Sequence, residues 1–91
     1  GERLVSLPWV EGVSNHAIGS RELDVSAWLG NRYVIADLSS RRRLRSIDVS
    51  AKREFAPLEL AAPLRAISAD AQRRALACVL ADGSLRVIAP A

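Results

Sequence analysis

Displaced by 41 residues, the chain falls on itself. Residues 22–48 lie over 63–89, with Leu23 over Leu64, Arg32 over Arg73, Ala36 over Ala77, Leu44 over Leu85, Arg45 over Arg86 and Ile47 over Ile88. Ile35 over Leu76 and Leu38 over Val79 extend the likeness in chemical type. A period of about 40 to 45 residues points to repeated supersecondary units, and the content of each unit decides which kind. Short β-branched and aliphatic stretches at 3–7, 33–38, 44–49, 76–80 and 85–88 alternate with polar turns, so strands fit and pairs of long amphipathic helices do not. Between the last two stretches stands Ala81-Asp82-Gly83-Ser84. Asp-Gly between apolar runs is a hairpin signal, because glycine accepts the positive φ of a tight turn.

Composition narrows the function classes. Ninety-one residues that are 49% hydrophobic and 25% charged make one small core-building domain. No apolar run reaches the roughly 18 to 20 residues that span a bilayer, and Gly1-Glu2-Arg3 does not open a signal segment, so a cytoplasmic location is expected. The absence of methionine makes a longer parent chain the expectation. Net charge +3 arises from thirteen basic residues, twelve of them arginine, against ten acids. The basic residues are dense only at Arg41-Arg42-Arg43 and Arg45, a weak footprint for nucleic acid. One cysteine excludes an internal disulfide, and the apolar setting of Cys78 suits a core residue. One histidine, His16, leaves no Cys/His set for zinc, and no glycine-rich phosphate loop occurs. His16 with Ser14 or Ser20 and Glu11, Glu22 or Asp24 supplies atom types for nucleophilic catalysis, but no local motif assembles them. The expectation is a protein without catalytic residues, metal or cofactor.

Residues 63–88 resemble a WD40-like β-propeller repeat: an innermost strand, the Ser68-Ala69-Asp70 bend, a second strand, the Asp82-Gly83-Ser84 turn and a third strand. Residues 28–48 resemble the same unit with Ser39-Ser40-Arg41-Arg42-Arg43 as its turn. Neither unit carries a Gly-His pair before its innermost strand or a Trp-Asp ending. The resemblance implies an all-β chain of about two four-stranded antiparallel blades forming part of a larger propeller. Residues 1–20 then hold the end of a preceding blade and an outer strand, 21–60 one blade, and 61–91 a blade lacking a complete outer strand. Outer strands are expected near 14–18 and 53–60, where Pro57, lacking an N–H, suits an edge.

Two blades leave sheet faces and edges open, so remaining blades on a partner chain or parent chain, or self-association into a ring, are expected. The resemblance further implies a scaffold or protein-interaction module that takes a protein ligand. Arg41, Arg42 and Arg43 are its candidate binding residues, through forked hydrogen bonds to carboxylates or phosphates, and Trp9 is a candidate hot spot. Trp28 is assigned to packing between blades. Two alternatives stand beside this. Residues 68–80, rich in alanine and arginine with Ser68 or Asp70 as N-cap, also fit a helix in a small α+β nucleic-acid-binding protein. A segment of a propeller enzyme with its active site on other blades is the third reading.

Overall fold

The computed structural model describes residues 3–10, 25–70 and 73–91. They form nine strands: β1 (Leu4–Pro8), β2 (Ser26–Leu29), β3 (Arg32–Ala36), β4 (Arg43–Asp48), β5 (Arg53–Glu54), β6 (Leu58–Glu59), β7 (Leu64–Asp70), β8 (Ala75–Leu80) and β9 (Leu85–Pro90). There is no helix among the described residues. The chain is all-β, with two antiparallel sheets: β2-β3-β4 with β5 and β6 both on the outer edge of β4 (sheet I), and β7-β8-β9-β1 (sheet II). The expected strand at 14–18 lies outside the described residues.

Local chemistry explains where strands stop. Leu29 pairs with Arg32 across the two-residue turn Gly30-Asn31, where Gly30 has φ +61°, as a type II′ hairpin requires at its first position. β3 ends at Ala36 because the next carboxylate, Asp37, accepts hydrogen bonds from the Ser39 N–H (2.9 Å) and hydroxyl (2.8 Å), turning the chain. The β8–β9 turn repeats this with Asp82 and Ser84, and Gly83 takes φ +86°. Pro57 falls in the interruption between β5 and β6. There Arg45 and Ser46 of β4 face Phe55, Ala56 and Pro57, a one-residue bulge on the sheet's outer edge.

The helical alternative fails at β8. Ala75-Leu76-Ala77-Cys78-Val79-Leu80 is buried at every position, the pattern of a strand covered on both faces. Tertiary burial outweighs the helix propensity of alanine and arginine. β7 likewise runs straight through Ser68-Ala69-Asp70, where a bend was expected.

Residues 3–7 were expected to end a preceding unit. Instead β1 pairs along its whole length with β9, from Leu4 opposite Pro90 to Pro8 opposite Arg86, and gives sheet II its fourth strand. Arg86 fastens the pairing, donating from Nε to the Ser6 hydroxyl (2.8 Å) and from Nη2 to the Ser6 carbonyl (3.0 Å).

One core lies between the sheets, built from Val34, Ala36, Leu44 and Leu60 on sheet I and Leu4, Leu64, Ile67, Leu76, Cys78, Leu80 and Ile88 on sheet II. The first strands, β2 and β7, pack together, as do the outer strands β6 and β1. A second cluster, Ala66, Ala75, Ala77, Val79 and Val87, lies on the other face of sheet II, with Trp9 packed against it. Ser46 sits in the shared core at 1% exposure with its hydroxyl unpartnered. Ser46→Ala is therefore expected to stabilise the fold by about 1 kcal/mol, read as a higher urea midpoint. A lower midpoint would show that the hydroxyl is satisfied.

The strand ladders refine the internal repeat. The last pair before the turn is Ala36–Leu44 in sheet I and Val79–Leu85 in sheet II. Leu44 therefore corresponds to Leu85 as expected, whereas Ala36 corresponds to Val79 and not to Ala77. The β2–β3 turn is two residues shorter than the β7–β8 turn, and the β3–β4 turn is two longer. A slip of two leaves every side chain on its face, which is why the simple displacement still matched residue types. With this register, Val34, Ala36 and Leu44, which face sheet II, correspond to Ala77, Val79 and Leu85, which face away from sheet I. The sheets stack head to tail, not through equivalent faces.

Candidate functional site

The arginine run lies in the β3–β4 turn at one end of the two sheets, beside the 60–63 connection and the β8–β9 turn. Arg41 has φ +56°, a conformation that costs a residue with a Cβ about 1–2 kcal/mol. The backbone around it holds that shape: its N–H donates to the Asp37 carbonyl (2.7 Å), and its carbonyl accepts from the Leu64 N–H (2.6 Å). Arg42 accepts from the Leu60 N–H at its carbonyl (2.7 Å) and donates from Nη2 to the Ala61 carbonyl (3.1 Å). The Ala81 N–H donates to the Pro63 carbonyl (2.7 Å), joining the β8–β9 turn to the same rim. The expected neighbourhood of the run with 61–63 and 82–84 is thus present, while its other expected neighbour, 19–22, lies outside the described residues.

The side chains divide. Arg43 Nε meets Glu59 at 2.6 Å across the β4–β6 pair, and Arg42 is occupied by Ala61. Arg41 has no side-chain partner among the described residues. Two of the three candidates therefore fasten this turn to the 59–61 segment, one through a carboxylate and one through a backbone carbonyl, and the third, Arg41, is half-buried. Trp9, half-buried, rests on the Ala66–Ala77–Val79–Val87 cluster, across sheet II from the arginine run. The candidates do not converge on one patch.

A cleft of about 480 Å³ opens on this rim, lined by Ser6, Glu59, Leu60, Ala61, Leu80, Asp82, Ser84 and Arg86. The Ser84 hydroxyl and N–H hold the Asp82 carboxyl below its usual range, and the Ser39 N–H and hydroxyl do the same for Asp37. Both stay ionised and serve their turns. The hydrogen bond to Arg45 likewise lowers Glu54.

Cys78 is wholly buried, and desolvation pushes its thiol up to about 12, so it remains a protonated core residue. Among the described residues no group of three or more His, Cys, Asp or Glu side chains is placed to hold a metal ion. His16, Ser14, Ser20, Glu11, Glu22 and Asp24 lie outside the described residues. No described helix is long and apolar enough to cross a membrane.

Trp28, expected in packing between blades, has no second sheet against it among the described residues. It lies on the face of sheet I turned away from sheet II, 52% exposed, with its ring centroid 5.0 Å from that of Tyr33. Ile35 and Ile47, both half-buried, share this face by register. Tyr33, Ile35 and Ile47 correspond to Leu76, Cys78 and Ile88 of sheet II, all fully buried against sheet I. The alternation of β3 and β4 carried the signal for this face, but only the ladder register identifies it as uncovered. No protein-family model, curated protein or solved structure matches the chain.

Proposed function

We propose that the chain is two blades of a β-propeller of WD40-like build, working as a protein-interaction module without chemistry of its own. The head-to-tail stacking of sheets I and II is the observation that supports this best. Unlike faces meeting in sequence make a heterologous stack, which closes into a ring when the rotation between neighbours divides the circle and otherwise runs on as a filament, and a propeller is such a ring of four-stranded sheets. The broken β5–β6 edge then serves as one outer strand and β1 as the other. The face bearing Trp28, Tyr33, Ile35 and Ile47 receives a further sheet from the parent chain, a partner chain or another copy. The protein ligand docks on the rim at Arg41, and residence in the cytoplasm belongs to the same proposal.

Sedimentation tests the uncovered face. The chain is expected to form species heavier than one copy as concentration rises. Tyr33→Lys with Ile35→Lys is expected to weaken that association at least about a hundredfold, since burying each side chain is worth roughly 1.5–3 kcal/mol, while the β-sheet spectrum stays unchanged. A profile that remains at one chain's mass at every concentration tells against the reading.

A further inference from the structure

Basic residues far apart in sequence gather at the end of the sheets opposite the arginine run. Arg3 precedes β1, Arg32 opens β3 and Arg53 opens β5. The guanidinium carbon of Arg32 lies 3.9 Å from the centre of the Phe55 ring and that of Arg53 5.2 Å from it, so two cations share one aromatic ring. Beside them is a cleft of about 430 Å³ lined by Arg3, Arg53, Glu54, Phe55 and Ala56. Glu54, the one acid among the described residues of that lining, is engaged by Arg45 at 2.8 Å. Arg3 and Arg32 have no carboxylate partner among the described residues, and Nη1 of Arg32 is buried without a hydrogen-bond acceptor. Arg32 reaches the cleft's surroundings only through Phe55, on which it stacks, while Arg3 and Arg53 line the cleft itself. Three guanidinium groups around one opening make it electropositive, and forked guanidinium donors match a carboxylate in geometry as well as charge.

We propose that this cleft binds an acidic peptide segment of a partner protein, through its carboxylates. The same edge of sheet I already realises guanidinium–carboxylate pairing twice, at Arg43–Glu59 and Arg45–Glu54. The cleft lies between Arg3, leading into the outer strand of one sheet, and the β5 end of the outer edge of the other. Its volume accommodates a few side chains. Nucleic acid binds instead through contacts to many successive phosphates, and this cluster is too short for that. The site is independent of the apolar face of sheet I, which lies on the other side of β3 and β4.

Fluorescence anisotropy of a short labelled glutamate-rich peptide against the 91-residue chain tests the proposal. The peptide is expected to bind, its affinity to fall with added salt, and its glutamine counterpart not to bind. Arg3→Gln and Arg32→Gln are each expected to weaken binding about tenfold, with Arg65→Gln, exposed near the start of β7 at the other end, leaving it unchanged. Should Arg32→Gln lower the unfolding midpoint, exposed Arg3 still decides. Equal binding of the glutamine peptide, unchanged affinity in Arg3→Gln, or tighter binding of inorganic phosphate or a single-stranded oligonucleotide overturns the proposal. Failure here leaves the sedimentation result for Tyr33 and Ile35 as it is, so the two readings fall separately.

Discussion

Leu76→Ala is expected to destabilise the chain by about 2–5 kcal/mol, a large part of the roughly 5–15 kcal/mol that holds a small domain together. Leu76 has no exposed surface and stands opposite Ile88 and Ala69 in the middle of sheet II, where it enters the core shared with Val34 and Leu44 of sheet I. Truncation removes its transfer free energy and leaves a cavity between two sheets, each pinned by its own ladder. Collapse around the gap is therefore limited, and the cost sits toward the upper part of the range. Leu38→Ala, at a side chain 71% exposed in the β3–β4 turn, is the internal control and is expected to change stability by less than about 0.5 kcal/mol. Urea unfolding of the two variants gives the comparison. A loss below about 1 kcal/mol for Leu76→Ala would mean that the sheets do not share a core.

Removing residues 1–8 is expected to have the other large effect: loss of the cooperative unfolding transition and the onset of aggregation. The deletion takes away the five-pair ladder on β9 and the buried Leu4, and it strips half-buried Arg86 of both its Ser6 acceptors. It also converts β9, with Val87 and Ile88 buried, into an open edge that can pair with another chain. Light scattering and far-UV circular dichroism read the result. A synthetic peptide of residues 1–10 supplied in trans is expected to restore the β-sheet spectrum and suppress scattering. A truncated chain that unfolds with an unchanged midpoint would show β1 to be dispensable.

These two positions show what could and could not be seen from residue order. The apolar run at 76–80 pointed to a strand, though its alanines also fitted a helix, and Pro57 pointed to an edge, because each is a local consequence of one chemical property. The partner of β1 was invisible for the opposite reason. Leu4-Val5-Ser6-Leu7-Pro8 has the alternation of a strand, but nothing local says that its ladder lies about eighty residues away, as the Ser6–Arg86 bonds show. The repeat was legible in its first and third strands and displaced by two in the second, since turn length varies at no cost to the face pattern. For the site, a run of consecutive arginines is conspicuous in sequence, yet two of its members are spent on Ala61 and Glu59. Arg3, Arg32 and Arg53 meet only because β1, β3 and β5 bring their ends together, and that is a property of topology.

The β1–β9 ladder also bears on how the chain is made. Synthesis proceeds at about 5–20 residues per second, so β1 leaves the ribosome seconds before the strand it must join exists. Sheet I can assemble in that interval, since its members are near neighbours in the chain, while β7 and β8 wait for the last strand of their own hairpin series. Closure of sheet II is thereby a late, long-range event of the kind that slows folding. During that wait, nascent β1 is the segment most in need of a chaperone.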